Sequence, residues 1–514
     1  MESMRFPSAC IATPHHLASA AGLEILAGGG NAMDAAIAAN LTLGVLTPYL
    51  CGYGGDLFAL VWRDGLFAYN GSGRAPAAAT VGSVREAVGG EAMPAFGPQS
   101  VTVPGAVDGW FALLEAFGTR SFADLASPAL LHAREGFRVS RMAAASLARA
   151  RLCYPDSAEW LRVYGNVGEG DMLLQADLAR TIQTLASEGP DAYYRGRMAL
   201  AICDAVGSLG GLMAPEDLAS HRGDWVEPIR ATYRGVEVLE LPPNTQGVAA
   251  LEALRMIETV GPLPEDGPER HHLMIEAVKL ALADRNRFVT DSDHMKIAPD
   301  ALASTPWVAA RVQEFDPEAA GRPSPVPAAR GGTAYLCAAD RDGMLVSLIQ
   351  SNYQGFGSGV TVPGWGINLQ NRGAFFSLDP GHANAIAPGK RTLHTLIPAL
   401  AMRDGRPWLV FGSMGGDGQL QTHVQLLAHI IDGRQDPQTA ISAPRWFVSL
   451  ADWSVTAESR FDPATLDGLR ARGHRLSIAG EFEGLMGHAH AIQLDESGYV
   501  GGTDPRTEGA VLGL

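Results

Sequence analysis

One threonine stands where a small-residue segment runs into a strand-like segment in the middle of the chain. Residues 323–332 read PSPVPAARGG, and Thr333 then opens the apolar run TAYLCAA. If the bond between Gly332 and Thr333 were cut, Thr333 would carry a free α-amine, whose ordinary pKa of about 7.7–8.0 leaves a useful fraction neutral near pH 7. That amine could accept the proton of its own Oγ, so that one residue supplies both a nucleophile and its base. The junction therefore predicts self-cleavage before Thr333, although a threonine that opens a strand is also an ordinary β-former.

A second stretch has the groups that an acyl-transfer reaction needs beside its nucleophile. The tetrahedral intermediate of such a reaction carries a negative oxygen, which backbone N–H groups at a tight turn can stabilise. Residues 412–418 read GSMGGDG between a predicted strand and a predicted helix. Gly415 and Gly416 are therefore the candidate oxyanion donors, and an ordinary strand-to-helix turn is the alternative interpretation.

Other glycine and histidine motifs do not indicate a cofactor or a metal. Residues 355–360 read GFGSGV but are followed by TVPGWGIN, which cannot open a helix, so the dinucleotide-binding pattern is incomplete. Residues 28–36 read GGGNAMDAA and lack the Lys-Ser/Thr pair of a phosphate-binding loop. The sequence contains no Gly-x-Ser-x-Gly motif of an α/β-hydrolase. Two pairs of neighbouring histidines lack metal-ligand spacing and are predicted to be surface or capping residues: His15 with His16, and His271 with His272.

Composition and charge exclude several classes of protein. The chain has 514 residues, 46% of them hydrophobic, and a formal net charge of −16 from 55 acidic and 39 basic residues. Such a chain is unlike a nucleic-acid binder, which presents a basic surface to phosphates. Its 5 scattered cysteines form no C-x-x-C pair, so neither a disulfide framework nor a zinc ribbon is indicated. With neither a signal-peptide pattern nor an apolar run of about 18 residues, we expect a cytoplasmic protein without a membrane partner.

The elements that must position these residues follow from hydrophobic periodicity. Strands and hairpins are predicted over 57–70, 233–243, 333–352, 406–416 and 488–504. Helices are predicted over 107–118, 122–135, 176–187, 194–208, 247–259, 269–289 and 419–432. Residues 1–320 thus read as mostly helical with few strands. The whole chain is predicted to be an α+β layered fold whose sheet draws on both halves, with a linker at about 316–332.

Taken in order, these motifs resemble the γ-glutamyltranspeptidase (glutathione hydrolase) family of N-terminal nucleophile hydrolases. The likeness spans nearly the whole chain, from IATPHHLASAAGLEILAGGGNAMDAAIAANLTLGVLTP through VTVPGAVDGWFALLEAFGT, YRGVEVLELPPNTQG and HLMIEAVKLALADRNRFV to TAYLCAADRDGMLVSLIQSNYQGFGSGV and GSMGGDGQLQTHVQ. It implies a four-layer αββα sandwich, built from both halves of a precursor that cleaves itself between Gly332 and Thr333. The helix-rich heavy part is then 1–332 and the light part 333–514, which form one intertwined heterodimer; a higher oligomer is left open.

The same resemblance implies roles at the site. Thr333 is the expected nucleophile, and Ser351 takes the place of a supporting threonine hydroxyl near its amine. Gly415 and Gly416 are expected to donate to the oxyanion. The resemblance implies no metal or organic cofactor, and it implies a small-molecule amide as substrate.

The residues that recognise the substrate depart from the family pattern. Ser72 stands where the family has an arginine for an α-carboxylate, and Arg74 follows two residues later. Phe375 replaces an aspartate for an α-amino group, and Arg372 replaces a glutamine. The remaining departures are Tyr353 for an asparagine, His394 and Thr395 for a pair of serines, and a short lid segment before Lys390.

These replacements predict a changed substrate. A pocket that lacks the aspartate and gains Arg372 should disfavour a zwitterionic γ-glutamyl group and prefer an acyl group with an anionic or neutral far end. Either Arg74 or Arg372 could hold a carboxylate bidentately, or could form a structural salt bridge. The pattern looks most like the oxamate-amidohydrolase and acylase-like branch of the family.

Three hypotheses follow from the sequence. The first is a self-processing N-terminal-threonine amidohydrolase that cleaves a non-γ-glutamyl amide, oxamate-like or acyl. The second is a glutathione hydrolase or γ-glutamyltransferase with altered recognition residues. The third is an uncleaved family scaffold that has no enzyme activity and serves as a binding protein.

Overall fold

The computed structural model of the chain describes residues 2–324 and 331–514, and 21 strands lie in these ranges. In chain order they are β1 (Met4–Phe6), β2 (Cys10–Thr13), β3 (Asp56–Trp62), β4 (Leu66–Asn70), β5 (Phe137–Arg138), β6 (Met172–Leu173), β7 (Asp224–Val226), β8 (Ile229–Tyr233), β9 (Val236–Glu240), β10 (Gly332–Ala339), β11 (Leu345–Tyr353), β12 (Thr361–Val362), β13 (Ile367–Asn368), β14 (Ala399–Arg403), β15 (Arg406–Ser413), β16 (Trp446–Val448), β17 (Val455–Glu458), β18 (Leu476–Ala479), β19 (Ala489–Asp495), β20 (Gly498–Thr503) and β21 (Ala510–Gly513).

The same ranges contain 18 α-helices. They are α1 (His16–Ala27), α2 (Ala32–Leu46), α3 (Val81–Val88), α4 (Ala106–Phe117), α5 (Phe122–Leu125), α6 (Ser127–Glu135), α7 (Arg141–Cys153), α8 (Ala158–Tyr164), α9 (Ala176–Glu188), α10 (Asp191–Tyr194), α11 (Arg197–Gly207), α12 (Pro215–Ala219), α13 (Gly247–Val260), α14 (Pro268–Phe288), α15 (Thr305–Val312), α16 (Gly418–Leu427), α17 (Pro437–Ser442) and α18 (Pro463–Ala471). None of the helices in the described ranges combines the length and the apolar character needed to cross a membrane.

Two seven-stranded antiparallel sheets form the centre of the fold. Sheet I has the strand order β21-β2-β10-β11-β3-β4-β7, and sheet II has the order β1-β20-β19-β15-β14-β9-β8. Each sheet takes strands from both sides of Thr333, which confirms the prediction that both halves contribute. The prediction of few strands before residue 320 is wrong, because β1–β9 lie there. All of these except β3 have five residues or fewer, too few for a period-two pattern to stand out.

Alternation along β10 divides its side chains between two cores. Successive side chains of a strand point to opposite faces of the sheet. The odd-numbered side chains lie between the two sheets: Tyr335, Cys337 and Ala339. The even-numbered side chains lie under the helices of sheet I: Ala334, Leu336 and Ala338. On the neighbouring strand β11, Leu345 and Ile349 also lie between the sheets. Ser351 has the same parity, so its hydroxyl faces the layer between the sheets.

Helices cover the outer face of each sheet. α1, α2 and α4 pack on sheet I, whereas α13 and α16 pack on sheet II with α14 across them. All 15 residues of α2 are buried, because its many alanines let it pack closely against neighbours on every side. The arrangement is the four-layer αββα sandwich, an α+β fold, that the resemblance implied.

Three predicted elements are divided in the structure. The helix predicted over 122–135 is two helices, α5 and α6, because Pro128 starts a new first turn. The helix predicted over 194–208 begins only at Arg197, after the separate short helix α10. The strand predicted over 233–243 contains the turn of a hairpin, where Arg234 and Gly235 have positive φ values of 51° and 78°, and only Val236–Glu240 form the strand β9, which pairs with β8.

The segment upstream of Thr333 is anchored where the structure describes it. Part of the predicted linker, residues 325–330, lies outside the described residues. Before that part, the carbonyl oxygen of Asp316 accepts a hydrogen bond from His272 Nε2 at 2.8 Å, and the Gly321 N–H donates to Glu276 at 2.8 Å. Both partners are on α14, so residues 316–321 are bound to the body of the protein rather than loosely tethered.

Candidate active site

Thr333 occupies an irregular position in the middle of sheet I. Gly332 pairs with Tyr353 on β11, whereas Ala334 pairs with Gln350, so Ser351 and Asn352 of β11 lie opposite Thr333 alone in a β-bulge. A bulge leaves one residue out of the ladder and re-aims its side chain. Thr333 is 1% exposed. The irregularity therefore orients a buried hydroxyl at the end of the layer between the two sheets.

A chain of three oxygens connects the Thr333 hydroxyl to the carbonyl of the residue before it. Thr333 Oγ1 donates to Ser351 Oγ at 3.3 Å, and Ser351 Oγ donates to the Gly332 carbonyl oxygen at 2.6 Å. The Tyr353 N–H donates to Ser351 Oγ at 2.7 Å and fixes that hydroxyl from the opposite side. The structure therefore brings together Thr333, Ser351 and the carbonyl of the predicted scissile bond, and it orients their hydrogens in one direction.

The two glycines before Thr333 are required by close approach. A Cβ on Gly332 would lie 2.5 Å from the carbonyl oxygen of Tyr49. A Cβ on Gly331 would lie 2.9 Å from the carbonyl oxygen of Tyr353 and 3.1 Å from its ring. A side chain at Gly331 would push the backbone away from β11, and one at Gly332 would push it away from Tyr49. Either shift would displace the carbonyl that Ser351 contacts.

The predicted oxyanion turn lies between β15 and α16. Gly415 and Gly416 have φ values of 139° and 58°, a region that glycine adopts without strain. In residues 2–324 and 331–514, neither N–H of the pair has a hydrogen-bond acceptor. Two unsatisfied backbone donors at a turn are the groups that an oxyanion hole needs.

Two residues that sequence reasoning missed, Gln246 and Arg285, hold this turn in place. Gln246 Nε2 donates to the Gly416 carbonyl oxygen at 3.1 Å and to the Thr395 carbonyl oxygen at 2.8 Å. Arg285 Nη1 donates to Gln246 Oε1 at 2.5 Å and to Asp417 Oδ1 at 2.7 Å. Gln246 and Arg285 come from α13's N-cap and from α14, so residues before Thr333 support a turn that follows it.

Arg372 is a buried guanidinium with only part of its hydrogen bonding satisfied. Its Nη1 donates to Thr395 Oγ1 at 3.2 Å, whereas Nε and Nη2 have no partner in the part of the chain that the structure describes. Its Cζ lies 4.2 Å from the ring centroid of Tyr353 and 5.6 Å from that of Phe375. Burial lowers the pKa of Arg372 to about 10, and negative charge nearby, including that of Asp56, limits the decrease. The group therefore stays charged at neutral pH.

His394, which is predicted to line the substrate pocket, is paired with the buried Asp56. Its Nδ1 accepts from the Leu396 N–H at 3.3 Å, so its Nε2 carries the proton and donates to Asp56 Oδ2 at 3.1 Å. Burial lowers the pKa of His394 well below its usual value and raises the pKa of Asp56 to about 7. Asp56 also accepts from the Gly73 N–H at 3.0 Å and from Gln370 Nε2 at 2.9 Å. We interpret His394 as a neutral positioning residue for Asp56.

Ser72 and Arg74 are held in separate networks. Ser72 Oγ donates to Asn70 Oδ1 at 2.6 Å. Arg74 is half-exposed and lies 3.5 Å from Asp224 and 3.6 Å from Asp291 in two ion pairs. For Arg74 the structure therefore favours the structural salt bridge over the carboxylate clamp.

Within the described ranges, a cluster of potential metal ligands lies around His272 on α14. Nitrogen and oxygen atoms of His272, Glu276 and His474 lie within 4.8 Å of one another. Because His272 Nε2 donates to a carbonyl, its Nδ1 accepts from His474 Nε2 at 2.8 Å. The Lys279 ammonium contacts Glu276 at 2.8 Å and His474 Nδ1 at 3.5 Å. Lys279 thus supplies the positive charge of this cluster, which fits a hydrogen-bonded anchor better than a metal site.

The predicted roles of the four adjacent histidines are only partly right. His15 caps α1 by accepting from the Leu17 N–H, and His16 is exposed, as predicted. The prediction that His271 and His272 are surface or capping residues is wrong, because both are buried on α14. The sequence of a helix does not show which side chains from other segments will bury its polar residues.

The four-layer sandwich, with Thr333 in a central strand and a glycine turn on the facing sheet, is the fold of the N-terminal nucleophile hydrolases. Over residues 18–514 the chain matches the model of the γ-glutamyltranspeptidase family, and it belongs to that family.

Full-length relatives and a solved structure agree with this assignment. The glutathione hydrolase-like YwrD proenzyme of Bacillus subtilis (strain 168) is 36% identical over 520 residues, covering 98% of each chain. The oxamate amidohydrolase proenzyme of Klebsiella pneumoniae is also 36% identical over 520 residues, covering 97% of each chain. The structure of cephalosporin acylase from Bacillus halodurans superposes with a TM-score of 0.95 at 40% identity, over 100% of this chain and 97% of that one. Together these matches indicate an amide-hydrolysing enzyme of a family made as proenzymes.

Proposed function

We propose that this protein is a self-processing amidohydrolase whose nucleophile is Thr333, and that it hydrolyses amides of acyl groups other than γ-glutamyl. The observation that carries the proposal is the chain of oxygens from Thr333 Oγ1 through Ser351 Oγ to the Gly332 carbonyl. Cleavage yields a heavy part, 1–332, and a light part, 333–514, which stay together because both sheets contain strands of both parts.

The first reaction is self-cleavage, for which no free amine is yet available. Thr333 Oγ forms a bond to the Gly332 carbonyl carbon and passes its proton to Ser351 Oγ, while the Ser351 proton moves to the carbonyl oxygen. The neutral tetrahedral intermediate then breaks its C–N bond, and its hydroxyl proton leaves with the Thr333 nitrogen. The product is a glycyl ester on Thr333 Oγ, which water hydrolyses to a Gly332 carboxylate and a free Thr333.

The second reaction uses the amine that the first one releases. The neutral α-amine of Thr333 accepts the Oγ proton as the oxygen attacks the substrate amide, and then delivers it to the departing amine. The N–H groups of Gly415 and Gly416 stabilise the tetrahedral oxyanion. Water then hydrolyses the acyl-enzyme, with the same amine as base.

Phe375 and Arg372 argue against a γ-glutamyl substrate. The α-ammonium of such a substrate would approach an aromatic ring and a guanidinium instead of a carboxylate. An ammonium that loses its water without gaining a counter-charge costs several kcal/mol. An acyl group without that ammonium avoids the penalty.

The lid segment favours hydrolysis over transfer to an amine acceptor. The Lys390 ammonium donates to the carbonyl oxygens of Ala383 and Ala385 at 2.8 and 3.0 Å, and Asn384 Nδ2 donates to that of Phe375 at 2.8 Å. These contacts tie the short segment to itself, which supports the expectation that it does not close over an acyl-enzyme and exclude water.

Two measurements on the purified protein test this proposal. A denaturing gel should show two fragments whose sizes correspond to 1–332 and 333–514. The processed enzyme should then have a higher kcat/KM for glutaryl-p-nitroanilide than for γ-glutamyl-p-nitroanilide. If the γ-glutamyl compound is preferred by roughly tenfold or more, the glutathione hydrolase hypothesis replaces ours. A single uncleaved band without amidase activity would support the scaffold hypothesis.

A further inference from the structure

We propose that the free edge of the Arg372 guanidinium binds a carboxylate at the far end of the acyl group, so that the preferred substrates are monoamides of dicarboxylic acids that lack the α-amino group of a γ-glutamyl compound. This inference rests on the proposed function, because the acyl group in question is the one that Thr333 carries. It goes further by assigning one arginine, one edge of that arginine and one class of substrate.

The unpaired atoms of Arg372 are the two that match a carboxylate. Nε–H and one N–H of Nη2 lie parallel along one edge of the planar guanidinium, and this edge accepts both oxygens of a carboxylate. In residues 2–324 and 331–514 these two nitrogens have no hydrogen-bond partner, although Arg372 is 1% exposed. Buried polar groups of proteins are nearly always paired, so an arginine left with this edge free indicates a missing ligand.

The surroundings of Arg372 fix its orientation without using that edge. Thr395 Oγ1 accepts from Nη1, on the other side of the guanidinium. The rings of Tyr353 and Phe375 lie against the guanidinium and 5.0 Å from each other. The donors are therefore preorganised before a ligand arrives, which reduces the entropy that binding would lose.

Tyr353 connects this site to the nucleophile. Its backbone N–H donates to Ser351 Oγ, which contacts Thr333 Oγ1, while its ring lies under Arg372. Gly331 lies against the same ring, on the acyl side of the predicted scissile bond. The chain's own acyl group thus passes over Tyr353 on its way from Thr333, and the acyl group of a substrate would follow the same direction towards Arg372.

Arg372 and Arg74, the other arginine considered for this role, differ in whether their guanidinium groups are already paired with carboxylates. Arg74 already has two carboxylates as partners, Asp224 and Asp291, and it is 38% exposed at its side chain. A substrate carboxylate would have to compete with them in water. Arg372 offers a buried positive charge whose two forked donors are free.

The test compares two anilides of equal chain length on the processed enzyme. Glutaryl-p-nitroanilide ends in a carboxylate and pentanoyl-p-nitroanilide ends in a methyl group. Wild type should prefer the glutaryl compound in kcat/KM by roughly 100-fold, the range expected for a buried hydrogen-bonded charge pair. Arg372→Gln should reduce that ratio at least about tenfold, and Arg372→Lys should recover only part of it, because an ammonium has no fork. Arg74→Gln is the matched variant and should keep the wild-type ratio.

The outcomes separate this inference from the proposed function. A protein that stays uncleaved and hydrolyses neither anilide contradicts the proposed function itself. A processed enzyme that hydrolyses pentanoyl-p-nitroanilide as well as the glutaryl compound overturns the carboxylate site alone. A ratio that falls with Arg74→Gln and not with Arg372→Gln overturns the choice of arginine. Melting temperatures of all variants identify any that fail to fold, and for those the wild-type ratio decides.

Discussion

We call Thr333, Ser351 and the turn of Gly415 and Gly416 with its supports the nucleophile region, and Arg372 with Tyr353 and Phe375 the acyl region. The two regions differ in whether their hydroxyl and guanidinium groups have hydrogen-bond partners within the protein. In the nucleophile region, Thr333 and Ser351 form a closed chain of hydrogen bonds, and all nitrogens of the nearby Arg285 side chain donate to described residues. In the acyl region, Arg372 is equally buried but keeps two nitrogens free. Thr333, Ser351 and Arg285 thus find their side-chain partners within the protein, whereas the free edge of Arg372 is left for the substrate. Changes in the first region should therefore affect all substrates alike, and changes in the second should alter the ratio between substrates.

The largest expected effect in the nucleophile region comes from Thr333→Ala. This variant should remain a single full-length chain and lose amidase activity by roughly 10³-fold or more, for the glutaryl and pentanoyl anilides alike, because one oxygen performs both reactions. Denaturing gels and initial rates measure the two effects. Thr333→Ser is the matched control and should still be processed, more slowly. Two fragments of the expected sizes from Thr333→Ala would contradict the assignment.

Ser351→Ala should have the next largest effect. Without the hydroxyl that contacts both Thr333 Oγ1 and the Gly332 carbonyl, self-cleavage should slow by roughly 100-fold, the usual size of a proton-transfer contribution. Ser351→Thr keeps a hydroxyl and should restore most of the rate. The decay of the full-length band after cell-free synthesis gives the rate constants. Cleavage of Ser351→Ala at the wild-type rate would exclude the proton relay.

The pattern of contacts in the nucleophile region could be predicted only in part. The candidate cleavage junction and the glycine turn could be predicted from residues that follow one another in the sequence: Gly332, Thr333, Gly415 and Gly416. The supports of the turn were not, because Gln246 and Arg285 precede Asp417 by well over a hundred residues, and no local pattern indicates which polar side chains a fold will bury together. The anchoring of residues 316–321 by His272 and Glu276 was not predicted for the same reason. Composition alone indicated a linker there and could not show these tertiary contacts.

The acyl region shows a different limit of sequence reasoning. Replacement of family residues identified Arg372, Phe375 and Thr395, yet could not choose between Arg372 and Arg74. The choice needs the partners of each arginine, which are tertiary contacts. The pairing of His394 with Asp56 was not predictable either, because Asp56 lies on a strand of the other half of the chain. That His394 lines the substrate pocket stays a prediction. The four-layer fold, by contrast, was predictable, since ordered blocks along nearly the whole chain specify it together.

A change of pH should alter the rate that depends on the nucleophile region but not the substrate preference that depends on the acyl region. Only the neutral Thr333 amine accepts a proton, so kcat/KM for either anilide should rise as pH increases through its pKa, ordinarily about 7.7–8.0, by roughly tenfold between pH 6.5 and 8. The glutaryl-to-pentanoyl ratio should stay constant over this range, because the pKa of Arg372 is about 10 and its charge does not change. Stopped assays across pH 6–9 measure both. A flat kcat/KM profile would argue against an amine base, and a pH-dependent ratio would argue against Arg372.

The smallest expected effect is that of Phe375→Asp on substrate choice. The new carboxylate would give an α-ammonium a partner and would also compete for Arg372, so the ratio of γ-glutamyl to glutaryl turnover should rise, by about tenfold or less. Ser72 still lacks the arginine that would hold an α-carboxylate, which limits the gain. Phe375→Leu removes the ring without adding charge and serves as the control. An equal rise in both variants would show that the ring's size, and not the missing charge, excludes the γ-glutamyl group.

The most direct test of the central claim is the mass of the acyl-enzyme. Wild-type protein is mixed with glutaryl-p-nitroanilide, quenched in acid during turnover, and measured intact and after digestion with trypsin. We expect a light fragment that begins at Thr333, and a glutaryl group on its first peptide, Thr333–Arg341, bound through the Thr333 Oγ. A light fragment that begins at another residue, or an acyl group on a different peptide, would contradict the account.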